Sequence, residues 1–304
     1  MARTDSFAPF FKMNRTQFLS SLVAMETINT FSKFKSFTDD LIYTGSVMPT
    51  LFIGHGSPMN GIEDNEFSRT WSAMAKEIPT PKAVLVVSAH WMTRGTQITA
   101  MESPKTIHDF GGFPRELFEV QYPAKGDPIL AKETQQLIKS THVELDHDWG
   151  LDHGTWTVIR HMYPKANIPI LQLSIDSGKN MAYHYDLARE IADLRQKGVL
   201  IVGSGNIVHN LRMLDWGKLN APNYAFDWAK QINQKMKDLI LNNEHERLVK
   251  YESLGREALM AIPTPEHYIP LLYVLGLKGK NEKIRFFNDK AVGGSLTMTS
   301  VKIG

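Results

Sequence analysis

Ala83-Val84-Leu85-Val86-Val87-Ser88, followed at once by Ala89-His90-Trp91, is the stretch on which the fold turns. Five apolar residues in a row, with no polar alternate, fit a strand covered on both faces, as in a parallel sheet layered with helices. Upstream, Thr50 to Ile53 is a second apolar run, and Glu66 to Ile78 sets Phe67, Trp71, Met74 and Ile78 at helical spacing. Downstream, Ile129 to Ile138 reads as helix and Ile168 to Ile175 as a strand with its proline near the start. Leu187, Ile191 and Leu194 mark one face of a helix that Gly198 ends, and Val199 to Gly203 is another buried strand. Phe226, Ala229, Ile232, Met236 and Leu239 define a long amphipathic helix, and Ser295 to Ile303 alternates like a half-exposed strand. Strands alternating with helices predict an α/β fold, a three-layer α/β/α sandwich around a mostly parallel central sheet.

Composition narrows the function. With 34 Lys and Arg against 32 Asp and Glu, a net charge of +2 and no dense basic block, nucleic acid and membrane surfaces are not expected as partners. No apolar run approaches the roughly 20 residues of a membrane span. A small molecule is the expected partner, and the oligomeric state is left open. The absence of cysteine excludes disulfides, thiolate metal sites and a cysteine nucleophile, so any metal must be held by imidazole and carboxylate. Zn, Fe(II) and Mn suit such ligands.

Residues 1–47 differ from the rest, being rich in Phe, Ser, Thr and Lys without a strand pattern, and read as an N-terminal extension, partly disordered or a vestigial export signal. Asn14 to Met25 has a faint export look, one arginine before a short apolar segment, but lacks a long apolar core and a cleavage site. A cytoplasmic location is expected, with export as the alternative, and Met13 is a candidate second start. Residues 48–304 show no repeat or linker and read as a single catalytic domain.

Five of the eleven histidines lie in short turns bearing glycine or proline. His55, in Gly54-His55-Gly56-Ser57-Pro58, and His90 directly follow apolar runs, where an open α/β sheet displays ligand-binding groups. His209 follows Val199 to Gly203 and two further turn residues, Ser204 and Gly205, and is a ligand or acid/base candidate. Asp152-His153-Gly154-Thr155-Trp156 sets a carboxylate beside an imidazole, suited to a base or a substrate-orienting donor and equally to a capped turn before a helix. Pro263-Thr264-Pro265-Glu266-His267-Tyr268 opens an apolar helix, with Thr264 as a cap and Glu266 favouring the helix dipole. His108-Asp109-Phe110-Gly111-Gly112-Phe113-Pro114 is an aromatic turn of the kind that walls or covers a pocket. His142, His147, His161, His184 and His245 sit in charged or helical surroundings and read as ordinary surface histidines.

In this order the motifs resemble the class III extradiol ring-cleavage dioxygenases of the LigB superfamily, and within them the 4,5-DOPA extradiol dioxygenase branch. The resemblance covers about residues 48–304 and also takes in Gln172-Leu173-Ser174-Ile175-Asp176 and Ser204-Gly205-Asn206. It implies one divalent metal per chain held by His55, His90 and His267, with His209 at or next to the coordination sphere as acid/base residue. His153 would orient the substrate hydroxyls or oxygen, and Ser57, His108 and Tyr268 would line the substrate site. The implied substrates are O2 and a catechol such as L-DOPA, cleaved at the 4,5 bond to 4,5-seco-DOPA, which cyclises to betalamic acid. Studied ring-cleaving relatives use two histidines and a glutamate, whereas here the third ligand is His267 unless Glu266 turns inward. A histidine-rich site favours zinc as purified, with Fe(II) needed for dioxygenase turnover. Two other readings share the histidines: a zinc hydrolase whose water is activated by Asp152 or His209, and a non-catalytic metal-binding member of the superfamily.

Overall fold

The computed structural model describes residues 47–304. In it the apolar runs become β1 (Thr50–Gly54), β2 (Ala83–Ser88), β3 (Ile170–Gln172) and β4 (Val199–Gly205), joined by β5 (Ile284–Phe287) and β6 (Ser300–Ile303). One six-stranded sheet carries them in the order β3-β2-β4-β1-β6-β5. β2 is parallel to β3 and β4, and β4 is parallel to β1, whereas β6 runs antiparallel to both β1 and β5. Gly54 pairs with Gly205 and Ser88 with Ser204, so three parallel strands end level with one another.

The period-2 geometry of a strand sends successive side chains to opposite faces, and here both faces are dry. Leu51, Ile53, Val84, Val86, Leu200 and Val202 pack against Trp71, Met74, Trp156 and Ile159 from helices α1 (Glu66–Glu77) and α2 (His153–Met162). Phe52, Val301 and Ile303 pack on the other side against Ile232, Met236, Leu271 and Leu272 from α3 (Asp227–Leu241) and α4 (Ile269–Gly276). The result is the expected α/β/α layering. Among the described residues no helix is long and apolar enough to cross a membrane.

Three elements depart from the sequence reading. The run from Ile168 to Ile175 is two strands, because Leu173 still donates to the Val86 carbonyl while Ser174 donates to that of Gln97, and Ile175–Asp176 then pairs with Met92–Thr93 in a separate small sheet. The helix read across Leu194 stops at Glu190 and tightens into a 3-10 turn, Ala192–Arg195, ahead of Gly198 at φ +86°. The C-terminal stretch is almost wholly buried, since β6 lies inside the sheet with Val301 and Ile303 covered by the helix layer. The readings of residues 1–46 lie outside the described residues.

Helix starts follow local chemistry. Asn65 caps α1 by accepting from the Phe67 and Ser68 amides, and the Ser68 hydroxyl accepts from the Asn65 amide in return. Asp152 caps α2 and does more. Its Oδ1 accepts from the Thr155 amide at 3.0 Å and the Ser88 hydroxyl at 2.7 Å, and its Oδ2 accepts from Gln172 Nε2 at 2.6 Å. The Asp152 amide donates to Gln172 Oε1 at 3.0 Å. One buried carboxylate thereby ties the end of β2, the end of β3 and the start of α2. Asp152→Asn is expected to keep two of the three acceptor bonds and set one donor against Gln172, costing about 1–3 kcal/mol. The urea midpoint, at unchanged m-value, measures that loss.

Candidate metal centre

The level strand ends bring the turn histidines together. His55 directly follows β1, His90 stands two residues beyond β2, and His209 stands four beyond β4. His153 opens α2, and His267 lies just before α4. Two glycines permit the approach. A Cβ on Gly205 would lie 2.1 Å from the His267 carbonyl oxygen, which accepts from the Asn206 amide at 2.9 Å. A Cβ on Gly154 would lie 2.6 Å from Ser88 Oγ and 2.8 Å from His90 Cδ2.

The Nε2 atoms of His55 and His90 are 3.1 Å apart. His267 completes the group, with ring centroids 5.4 Å from His55 and 5.0 Å from His90. His153 lies 3.8 Å from the His90 ring, and His209 stacks on His267 at 3.5 Å with planes 6° apart. Each of the first three imidazoles has an oxygen facing its Nδ1. His55 Nδ1 lies 3.0 Å from Ser204 Oγ, whose own proton goes to the Gly154 carbonyl, so His55 is the donor and its Nε2 keeps a free lone pair. His267 Nδ1 donates to Glu266 Oε1 at 3.1 Å. His90 Nδ1 faces Asp109 Oδ2 at 3.4 Å, too long for a good hydrogen bond.

Burial dominates the electrostatics. It holds His55 and His267 well below the ordinary imidazole value, with the neighbouring histidines adding to the effect, and it pushes His90 down to about 3 and His209 to about 4. These rings are therefore neutral near pH 7, the form a metal requires. The Asp109 carboxyl is raised by burial, but His153 and His90 outweigh this and hold it below its usual range. Two nitrogens bound at about 2.0–2.1 Å to one ion stand about 3 Å apart, as Nε2 of His55 and His90 do. Donors of the right type, charge state and spacing fit a divalent metal. His55, His90 and His153 form one set able to hold an ion, and His209, Glu266 and His267 a second set beside it.

The residues expected to line the substrate site are less concentrated. Ser57 is exposed and caps the short turn Pro58–Gly61 by accepting from the Met59 amide. His108 Nε2 meets the Val120 carbonyl at 3.0 Å, and its ring packs among Phe110, Phe118 and Trp156 at the edge of the site. Tyr268 is turned away from the histidines. Its ring is fully buried in the core beside α3, and its hydroxyl donates to the Leu248 carbonyl at 2.9 Å, because residues 267 and 268 point to opposite sides as α4 begins. Thr264 does not cap that helix. Its hydroxyl donates to Glu266, which precedes the helix and serves His267. Asp152 cannot activate a water, since it is inaccessible and its oxygens are engaged. His142 and His147 are exposed as expected, but His184 is buried against the Tyr273 hydroxyl. Asp109 and Ser204 escaped the sequence reading as site residues. The acid beside His108 in a glycine-rich turn was the one available signal for the former.

A level row of parallel strand ends carrying buried neutral imidazoles defines a metal-dependent enzyme of the α/β class. Residues 46–298 match the family described as the catalytic LigB subunit of aromatic ring-opening dioxygenase, and the chain belongs to that family. It is thus a ring-opening dioxygenase, an oxidoreductase that works with a metal. Among its relatives, "4,5-DOPA dioxygenase extradiol" of Escherichia coli (strain K12) is 47% identical over 87% of this chain and 98% of its own length. The protein of the same name from Beta vulgaris is 35% identical, covering 84% of this chain and 97% of its own. A crystal structure of an uncharacterized protein from Escherichia coli K12 aligns with a TM-score of 0.73 at 43% identity, over 84% of this chain and 100% of that one.

Because the folded protein binds fewer protons at these histidines than the unfolded chain, metal-free protein is most stable above pH 6.5. Its stability should fall as pH drops from there toward about 3. Urea midpoints of chelator-treated protein across that window should slope more steeply than those of His90→Asn.

Proposed function

We propose that this chain is an extradiol dioxygenase that uses Fe(II) to open a catechol such as L-DOPA, with zinc able to fill the same site unproductively. The observation that carries the reading is the trio of neutral imidazoles, each with Nδ1 turned to an oxygen, with Nε2 of His55 and His90 3.1 Å apart and the His267 ring 5.0–5.4 Å from both. The near full-length similarity to relatives named for 4,5-DOPA cleavage supports the substrate class. His55, His90 and His267 would hold the metal. Glu266 would support His267 as its hydrogen-bond acceptor and would not replace it.

When bound, the metal supplies a Lewis acid that lowers the catechol hydroxyl pKa and, as Fe(II), a redox-active centre for O2. The chain's own groups handle the protons. His209, buried and neutral, accepts the second catechol proton at its ring nitrogen and returns it as the ring opens. Stacking on His267 at 3.5 Å would keep His209 beside the residues that would hold the metal. His153, fixed at the start of α2, orients a substrate hydroxyl, and Phe110, edge-on to it at 5.5 Å, walls the aromatic ring. In 4,5-cleavage the C–C bond beside one hydroxyl-bearing carbon breaks and both atoms of O2 enter the product, one in a carboxylate and one in an aldehyde. The 4,5-seco-DOPA so formed cyclises to betalamic acid.

The test is anaerobic reconstitution of metal-free protein with Fe(II), or with Zn(II), followed by L-DOPA and air. Oxygen uptake with a yellow product under Fe(II) alone is the expected outcome. Uptake with neither metal across several catechols would sink the proposal in favour of a zinc hydrolase or a non-catalytic metal protein. His55→Ala and His90→Ala should lose bound metal, whereas His209→Ala should keep it and lose about 10²–10⁴-fold in turnover. Metal analysis of each purified variant separates the two roles.

A further inference from the structure

We propose that Asp109 is a positioning residue that clasps the metal and substrate halves of the site together, an inference that rests on the catechol dioxygenase reading. One carboxylate reaches both halves. Its Oδ2 stands 3.4 Å from Nδ1 of His90 and 3.0 Å from Nδ1 of His153, and its Oδ1 accepts from the His153 amide at 2.9 Å. The amide bond is the aligned one. Of the two ring contacts, that to His90 is long and that to His153 Nδ1 is not a well-directed hydrogen bond.

The placement of Asp109 gives the clasp its consequence. The residue sits in the aromatic turn after β2, between His108 and Phe110, whose rings pack at 5.8 Å. Phe110 also contacts Phe113 at 5.5 Å and Phe118 at 4.9 Å. Beyond Phe110 the turn is lightly held: a Cβ on Gly111 or Gly112 would meet nothing within 4 Å, and Gly112 takes φ +78°. Phe110 and Phe113 pack on the apolar core, and the link to His153 and His90 adds the polar tie that joins this aromatic wall to the metal ligands. A carboxylate facing a ligand imidazole also raises its basicity and fixes its ring, so its loss weakens metal binding typically 10–100-fold.

Asp109→Asn removes the charge at nearly constant size. In the full chain, Zn(II) affinity, measured by competition with a chromophoric chelator, should weaken about 10–100-fold. The visible bands of the Co(II) form should shift, and in the Fe(II) enzyme KM for L-DOPA should rise while kcat falls. The melting temperature should stay within a few degrees of wild type. Asp109→Glu, which restores the charge, should recover part of the Zn(II) affinity. A folded Asp109→Asn protein with unchanged Zn(II) affinity and unchanged kcat/KM would overturn the clasp, as would a loss confined to melting temperature. If the asparagine variant does not fold, the glutamate variant decides: wild-type values for both Zn(II) affinity and KM overturn the proposal. Wild-type protein inactive on every catechol would sink the dioxygenase reading, while the Zn(II) and Co(II) measurements would still read the clasp on its own.

Discussion

A single buried carboxylate, Asp152, sets the geometry on which the rest of the site depends. It is inaccessible to water, and its pKa is raised by burial, so it is retained by its bonds to Ser88, Gln172 and the Thr155 amide. Each partner belongs to a different element, and two of them lie within two residues of a site histidine. Ser88 Oγ also accepts from the His90 amide at 3.2 Å, and His153 follows Asp152 directly. A few tenths of an ångström at this hub are transmitted to both rings. Ser204 plays the matching part across the sheet, joining His55 to the Gly154 carbonyl in the same helix turn. The metal-facing rings are thus held by two polar anchors under the floor of the site, both dry, where a hydrogen bond is costly to lose.

Burying several imidazoles side by side is unfavourable unless they stay neutral, and neutrality is what the dry floor enforces. Burial is the largest influence on His55, His90, His209 and His267, and the rings lower one another further. The same choice brings the His55 and His90 nitrogens to 3.1 Å, room for one shared proton or one cation between them. Neutral imidazoles gathered at that spacing have the character of a site built around a positive charge that the protein chain itself does not provide.

Much of this was legible in the sequence because strands buried on both faces leave an unambiguous apolar signature and turns bearing glycine are easily seen. Ala83 to Ser88 located β2 to the residue, and His55, His90, His153, His209 and His267 were marked by position alone. What failed depends on rotation about single bonds. Tyr268 sits beside His267 in sequence, yet the turn into α4 sends it to the opposite side, and no pattern of residue types encodes that direction. His184 looked like a surface histidine because its neighbours in sequence are polar, whereas its packing comes from Tyr273, 89 residues away. Asp109 was missed for the same reason: its value lies in two imidazoles brought to it by the end of β2 and the start of α2.

Placing the acceptors for the histidine Nδ1 atoms on three different turns has a consequence for how such a site tolerates change. Ser204 and Glu266 differ in charge and chemistry, yet each accepts from an imidazole Nδ1 and so leaves Nε2 unprotonated, while Asp109 faces the third Nδ1 at 3.4 Å. The serine is buried and bound to a backbone carbonyl, so it is fixed by the fold. Glu266 is held locally by Thr264 and its own neighbour, so it moves with the turn that carries His267. Asp109 is carried by a segment whose glycines touch little, and of the three it alone also faces a second histidine, His153. The imidazoles that would hold the metal thus take these contacts from three kinds of segment, a buried strand end, the turn leading into α4 and the aromatic turn beside His153.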